Sequence, residues 1–355
     1  IIRSNAQHQG VFGEDRIQPV FARPLRDILK PTVQYGVHHD INLEVKSGLG
    51  IHLTAQKAAQ EKDDQKKCSL CNHRIWSGTL RRVVIPKRPQ RVAQINALMA
   101  AVPIGLSRNG EIRLLFEDDR YLAVLKPAGL LVHKTPIDAH EDENLRDILR
   151  GYYTGRLDPV HRLDKPTSGV IFFGKDTPAI QACKVQFESR QTAKEYLALV
   201  RGHVNHAGCI AKPLPKGMEG PLKQAQTEFE PLERCELDYA VSRYDSARLS
   251  LVKCVPHTGR YHQIRLHMRH FRHPVMGDSQ HGDKHQNRAF TAHVGIKGLL
   301  LHARRFAFEH PDGGTLDITA ALPDRWQHVQ NATEWNLDPY RENFAVRSNP
   351  PISPR

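Results

Sequence analysis

The sequence predicts an α+β fold, a mixed and mainly antiparallel sheet flanked by helices and loops. Three observations carry that reading. Segments with strand-like alternation or a continuous apolar run outnumber those with helical spacing. The two kinds follow one another irregularly, unlike the strict strand–helix rhythm of a doubly wound parallel sheet. The pattern also opens with a hairpin. It is sustained from Glu111 to about residue 325 and predicts one domain there.

The elements follow in order. Ile112, Leu114 and Phe116 alternate, Glu117-Asp118-Asp119 makes a turn, and Tyr121–Leu125 returns as the second strand of the hairpin. Lys126-Pro127-Ala128-Gly129 interrupts that strand, and Leu130–His133 resumes it. Glu143–Tyr152 is a short helix, and Gly169–Gly174 is apolar enough for a strand buried on both faces. Thr177–Gln191 places Ile180, Cys183 and Phe187 on one helical face, with Pro178 in the first turn. Further strands are expected at Glu195–Val200, Leu249–Cys254 and Leu299–Phe308. Between the last two, Thr258-Gly259 turns into a helix with Ile264, Met268 and Phe271 on one face. Residues 326–355, ending Asn349-Pro350-Pro351-Ile352-Ser353-Pro354-Arg355, read as a loose tail.

The chain has 355 residues, 51 Lys+Arg against 38 Asp+Glu, and a formal charge of +13 before any of its 21 histidines is protonated. At 39% hydrophobic and 25% charged, the composition is that of a globular protein. No segment approaches the roughly 18 consecutive apolar residues of a membrane span. Cys68, Cys71, Cys183, Cys209, Cys235 and Cys254 are too sparse for a disulfide framework, so a reducing cytoplasm is expected.

The charge is unevenly placed. Residues 1–110 hold 17 Lys+Arg and 8 Asp+Glu, a net of +9. They mix Gly, Pro, Gln and His without a sustained period, offer one plausible helix at Val92–Val102, and lack a signal-peptide layout. A basic disordered arm, a small accessory domain and a start placed too far upstream all fit. The first and third are favoured, because the apolar clusters are too scattered to bury a core. Cys68 and Cys71 with His73 resemble half a zinc site, but no second pair follows within about 20 residues, so no metal is expected.

Two constellations stand out as sites. In His161-Arg162-Leu163-Asp164-Lys165-Pro166-Thr167-Ser168-Gly169, a carboxylate flanked by two cations lies on a loop feeding the buried strand. Neighbouring cations would keep it ionised, hence nucleophilic or basic. In Thr258-Gly259-Arg260-Tyr261-His262-Gln263-Ile264-Arg265, Arg265 falls in the first turn of a helix and can meet a carboxylate bidentately. His257, His262, His267, His270 and His273 raise the question of a metal hydrolase, yet no His-Glu-x-x-His is present and no carboxylate follows before Asp278. Tyr196, at the start of a strand, and Leu301, in an apolar strand, are ordinary core residues on their own.

Taken in order, these pieces resemble the RluA-type RNA pseudouridine synthases. The resemblance rests on Phe116-Glu117-Asp118-Asp119, Lys126-Pro127-Ala128-Gly129 and Val132-His133. It continues through His161-Arg162-Leu163-Asp164 with Thr167-Ser168-Gly169, Lys194-Glu195-Tyr196, and Thr258 to Arg265. His273-Pro274 with Gly277-Asp278, and Leu301-His302-Ala303 with His310-Pro311, complete it over about residues 111–325. Asp164-Lys165-Pro166 and the run Arg272–Asp283 with Gln286-Asn287-Arg288 resemble, more finely, the TruC-type branch that modifies tRNA at position 65. That branch has no counterpart to the long N-terminal segment.

The resemblance implies the pseudouridine synthase fold and an isomerase that turns uridine into pseudouridine without a cofactor. RNA is the implied partner, tRNA first and ribosomal RNA as the alternative. No membrane or protein partner is implied. It makes Asp164 the catalytic carboxylate, acting on the sugar, on the base, or on a sugar proton. Arg265 would pair with Asp164, and Tyr196 would stack on the base and move a proton. Arg162 would fill the space of the flipped base, and Leu301 would wall the pocket. His262, with Lys284 and Arg288 on a polar loop beside His281 and His285, would contact the RNA. A non-catalytic RNA-binding descendant would lack Asp164, Tyr196 or Arg265, and all three are present.

Overall fold

The computed structural model describes residues 41–45, 51–55, 103–134, 138, 140–217 and 220–347. The helix expected at 92–102 and the Cys68, Cys71 and His73 group lie outside them. The chain divides into one unit over 1–81 and another over 82–355. In the first, β1 (Ile41–Val45) and β2 (Ile51–Ala55) pair antiparallel, with Leu43 opposite Leu53. Two paired strands therefore occur within the segment expected to be irregular.

The second unit is organised by a twelve-stranded sheet. It opens with β3 (Pro103–Ser107), β4 (Gly110–Glu117) and β5 (Tyr121–Lys126). β6 (Asp158–Pro159), β7 (Ser168–Gly174), β8 (Ala193–Arg201) and β9 (Gly208–Ile210) follow. After a small separate ladder of β10 (Leu214–Pro215) and β11 (Leu222–Lys223) come β12 (Thr227–Leu237) and β13 (Ala247–Pro256). β14 (Leu301–Glu309), β15 (Thr315–Thr319) and β16 (Phe344–Arg347) complete the set. The spatial order is β3-β4-β5-β7-β14-β8-β13-β12-β9, with β6 on β7 and β15-β16 on β14. No helix among the described residues is long and apolar enough to cross a membrane.

The expected β4–β5 hairpin forms because Asp118 Oδ1 accepts from the backbone N–H groups of Arg120 at 2.8 Å and Tyr121 at 2.7 Å, closing the turn. β3 adds a strand before Glu111, so the sheet begins earlier than the hydrophobic pattern announces. Leu130–His133 does not resume a strand. Lys126 Nζ takes the Leu130 carbonyl at 2.8 Å, and Leu131 makes only an isolated bridge to Asn144.

Among the sheet's strand pairs β7–β14 is parallel, through His302 opposite Ser168 and Ala303 opposite Gly169. Gly169 has φ +127°, and a Cβ there would lie 2.2 Å from the Ala303 carbonyl oxygen. Only glycine lets the two halves of the sheet approach at this point. On the β7 side, Tyr121, Phe172, Phe306 and Phe308 pack with Ile180 and Cys183 of the Thr177–Glu188 helix. On the other side β8 is buried on both faces. Leu197 and Leu199 meet Phe290, Trp326 and Val329, while Ala198 and Val200 meet Ile264 and Met268.

The C-terminal segment is a correction to the expectation of a tail. Trp326, Val329 and Leu337 are buried in the core and β16 pairs with β15. The Arg304 side chain donates to the carbonyls of Ala320, Glu342 and Pro339. Truncating one such buried aromatic costs about 3–5 kcal/mol, so residues 326–347 belong to the folded domain.

Candidate active site

Asp164 lies on the loop between β6 and β7, with its side chain 26% exposed. The loop is clamped from the Lys126-Pro127-Ala128-Gly129 segment. Gly129 N–H donates to the Lys165 carbonyl at 2.8 Å. Lys126 Nζ donates to the carbonyls of Pro127 at 2.9 Å, Leu130 at 2.8 Å and Lys165 at 3.1 Å. Lys126 is completely buried; burial pushes its ammonium down to about 7, and the Asp164 charge opposes that shift.

The cations beside Asp164 in sequence are not its partners. Lys165 pairs with Glu141, and Arg162 is exposed with no ion pair among the described residues. The partner is Arg265, whose Nη1 donates to Asp164 Oδ2 at 3.1 Å. Arg265 is the third residue of the Gln263–His270 helix, as expected, and its side chain is 3% exposed. Its bidentate partner, however, is Asp278: Nε donates to Oδ2 at 2.7 Å and Nη2 to Oδ1 at 2.8 Å. Nη2 also donates to Gln280 Oε1 at 3.1 Å. Asp278 in turn accepts from the backbone N–H groups of Gln280 and His281, each at 3.0 Å. Burial works to raise its carboxyl pKa, but Arg265 and those backbone donors outweigh it and hold the group below the usual range. Arg265 is thus oriented by one buried carboxylate and presents its remaining nitrogen to a more open one.

The start of that helix is fixed by Gln263. Its Oε1 accepts from Thr258 Oγ1 at 2.6 Å and Arg260 N–H at 3.0 Å, and its Nε2 donates to the Gln226 carbonyl and to Thr227 Oγ1, both at 2.9 Å. His262 caps the helix in the left-handed region at φ 51°, and its Nε2 lies 3.8 Å from Asp164 Oδ2. Tyr196 is half-buried on β8, opposite Ala303 of β14, and packs against the cluster containing Leu301. Burial raises its phenol pKa well above the usual value, and the charge of Asp164 adds to the effect. Beside them Ser168 Oγ and His302 Nδ1 are 2.9 Å apart, and His302 Nε2 reaches the Ala320 carbonyl at 3.2 Å. Since a carbonyl only accepts, that ring carries its proton on Nε2 and accepts from Ser168.

The structure therefore brings Asp164, Arg265, His262, Tyr196 and Leu301 together. Lys284 and Arg288 are exposed and stand on a helix, Lys284–Val294, instead of the expected loop; Asp283 caps it by accepting from the N–H groups of His285 and Gln286. The other histidines of the second constellation disperse to separate partners. His257 meets Glu228, His267 meets Thr227 and the Lys212 carbonyl, His270 meets Lys212, and His273 meets the Arg201 carbonyl. Among the described residues no three His, Cys, Asp or Glu side chains form a group that could hold a metal ion. Asp278 and Lys126 lie within the sequence motifs, but their roles come from contacts that only the fold makes. Gly277 was the available signal for Asp278: at φ +74°, a Cβ would sit 1.9 Å from the Gly298 carbonyl oxygen, so the turn carrying Asp278 is tightly constrained.

A carboxylate held by a buried guanidinium beside a phenol whose pKa is raised suits nucleophilic or proton-transfer chemistry. The sequence profile of the family described as "RNA pseudouridylate synthase" matches residues 120–270, which include Asp164, Tyr196 and Arg265. A protein of Pasteurella multocida (strain Pm70) named "tRNA pseudouridine synthase C" is 39% identical over 238 residues, covering 64% of this chain and 98% of that protein. This chain belongs to the RNA pseudouridylate synthase family. A second pseudouridine synthase C, from Haemophilus influenzae (strain ATCC 51907 / DSM 11121 / KW20 / Rd), is 39% identical over 235 residues, covering 63% of this chain and 98% of its own. Among solved structures, "Human RNA Pseudouridylate Synthase Domain Containing 1" aligns at 22% identity over 67% of this chain and 91% of its own, with a TM-score of 0.49.

Proposed function

We propose that this pseudouridylate synthase isomerises a uridine of tRNA, at position 65, with Asp164 as the reacting carboxylate. The observation that carries the reading is the hydrogen bond from buried Arg265 to the partly exposed Asp164 carboxylate, whose charge also acts on the Tyr196 phenol. The relatives named for tRNA support the substrate. The reaction breaks the N1–C1′ bond, turns the base and rejoins it through C5, so no redox group is required. Asp164 serves it by adding to the sugar or the base, or by removing a sugar proton. The uridine leaves its stack at a cost of about a few kcal/mol, and the exposed Arg162 fills the vacated space. Tyr196 stacks on the base and Leu301 closes the apolar side. A cytoplasmic location fits the sparse cysteines, of which Cys183, Cys209, Cys235 and Cys254 are free among the described residues.

Tyr196→Phe keeps the ring and removes the proton. Its kcat is expected to fall about 100-fold or more with RNA affinity unchanged, in single-turnover assays paired with filter binding. Because the phenol pKa is raised, the wild-type pH profile should show no alkaline limb near 10, where an ordinary tyrosine ionises.

Substrate choice is tested with purified protein on full-length tRNA and on ribosomal RNA fragments, mapping the modified position. Product at tRNA position 65 supports the assignment; equal use of ribosomal hairpins moves the protein to a different substrate. Lys284 and Arg288 are one helical turn apart and exposed, so both can face a phosphate backbone. Changing both to alanine should weaken tRNA binding, reduce the slope of log K against log salt by about 1–2, and leave single-turnover chemistry at saturation intact.

A further inference from the structure

We propose that His281 is a positioning residue that fixes the tautomer of His262, so that an N–H, not a lone pair, faces Asp164. The proposal rests on reading Asp164 as the reacting carboxylate.

His262 Nδ1 lies 2.8 Å from His281 Nε2, and His262 Nε2 lies 3.8 Å from Asp164 Oδ2. Its ring is held in place by stacking on Tyr261, with centroids 3.6 Å apart. The short nitrogen–nitrogen contact holds one proton, so one ring donates and the other accepts. If His262 donated from Nδ1, its Nε2 would turn a lone pair toward a carboxylate oxygen, which is repulsive. If His281 donates from Nε2, His262 carries its proton on Nε2, and that N–H dipole points at the negative charge. The carboxylate therefore selects the second arrangement.

Both rings are neutral at ordinary pH. Burial pushes His262 down to about 4, with Asp164 and Asp278 opposing and Arg265 and His281 adding. Burial also lowers His281, with Arg265 and Arg269 adding to it and Asp278 and Asp164 opposing. The turn that supplies His281 is the one that holds Arg265: the His281 backbone N–H donates to Asp278 Oδ1, whose carboxylate grips the guanidinium. One short segment thus aims both groups that approach Asp164. At 3.8 Å the His262 N–H is not yet bonded to the carboxylate, and a shift of about 1 Å brings it, or an oxygen joined to Asp164, within hydrogen-bond reach.

The test reads the tautomer directly by nitrogen-15 NMR of the full chain without RNA, with the His262 signals assigned by their loss in His262→Asn. Wild type should show a protonated Nε2 and an unprotonated Nδ1. His281→Ala should give a mixture of tautomers and a kcat about tenfold lower with KM within about twofold, and His281→Gln, whose amide N–H can still donate to Nδ1, should restore both. A wild-type proton on Nδ1, an unchanged tautomer in His281→Ala, or a glutamine variant no better than alanine would overturn the proposal. Since the NMR needs no RNA, failure to make pseudouridine in tRNA would sink the enzymatic reading and leave the tautomer result standing.

Discussion

Asp164→Asn is expected to leave less than about 1% of wild-type pseudouridine formation, because the amide can neither add to carbon nor take a proton. The fold should survive. The substitution removes one 3.1 Å bond from Arg265, which keeps its two bonds to Asp278 and one to Gln280. With Asp164 about a quarter exposed, solvent screening limits the loss to about 1 kcal/mol. Thermal unfolding and RNA binding measured beside activity would show the separation. Comparable losses of all three would mean that Asp164 is a structural ion-pair member.

Arg265→Met should be severe in both respects. Asp278 has a side chain only 1% exposed and would be left charged with two backbone donors and no cation. Breaking a buried pair from one side costs about 3–5 kcal/mol. Adding Asp278→Asn, which removes the stranded charge, should recover part of that stability and none of the activity, since Asp164 still lacks its guanidinium. Denaturant unfolding of the single and double variants checks this. Full recovery of activity in the double variant would show that Arg265 matters only through the fold. The pair also sets an acid limit. Because the Asp278 pKa is lowered on folding, its contribution is present above the ordinary carboxylate range and is lost as pH falls through the native value. Arg265→Met should weaken the acid dependence of stability accordingly.

The parts legible in the sequence were those with local causes. The β4–β5 hairpin, β7 and the Thr177–Glu188 helix follow from alternation, an apolar run and a capped amphipathic face, each readable within a dozen residues. β12 was missed because Pro231 interrupts it and a bulge between Pro231 and Glu233 breaks its period of two. The Lys284–Val294 helix read as a loop because its first turns are polar, although Asp283 and Gly295 mark its ends. The C-terminal segment looked like a tail because Trp326, Val329 and Leu337 follow no single period; they fill a surface that β8, β13 and the Lys284–Val294 helix create together.

The site shows the same division. Asp164 and Arg265 stood out because their residue types and flanks suggest chemistry. The identity of their partners did not, since ion pairing is decided by distance in the fold. Lys165 lies beside Asp164 in sequence and turns to Glu141, while Arg265, 101 positions away, makes the bond. Likewise Lys126 reads as a strand end, yet its full burial and three carbonyl contacts make it the clamp on the Asp164 loop.

Rejoining the base through C5 expels the hydrogen at that carbon, so release of tritium placed at uridine C5 of tRNA reports the isomerisation itself. Purified wild-type protein should release it in step with pseudouridine appearing at position 65, and Asp164→Asn, folded and RNA-bound, should release none. Tritium release by Asp164→Asn at a rate near wild type would contradict the central claim that Asp164 is the reacting group.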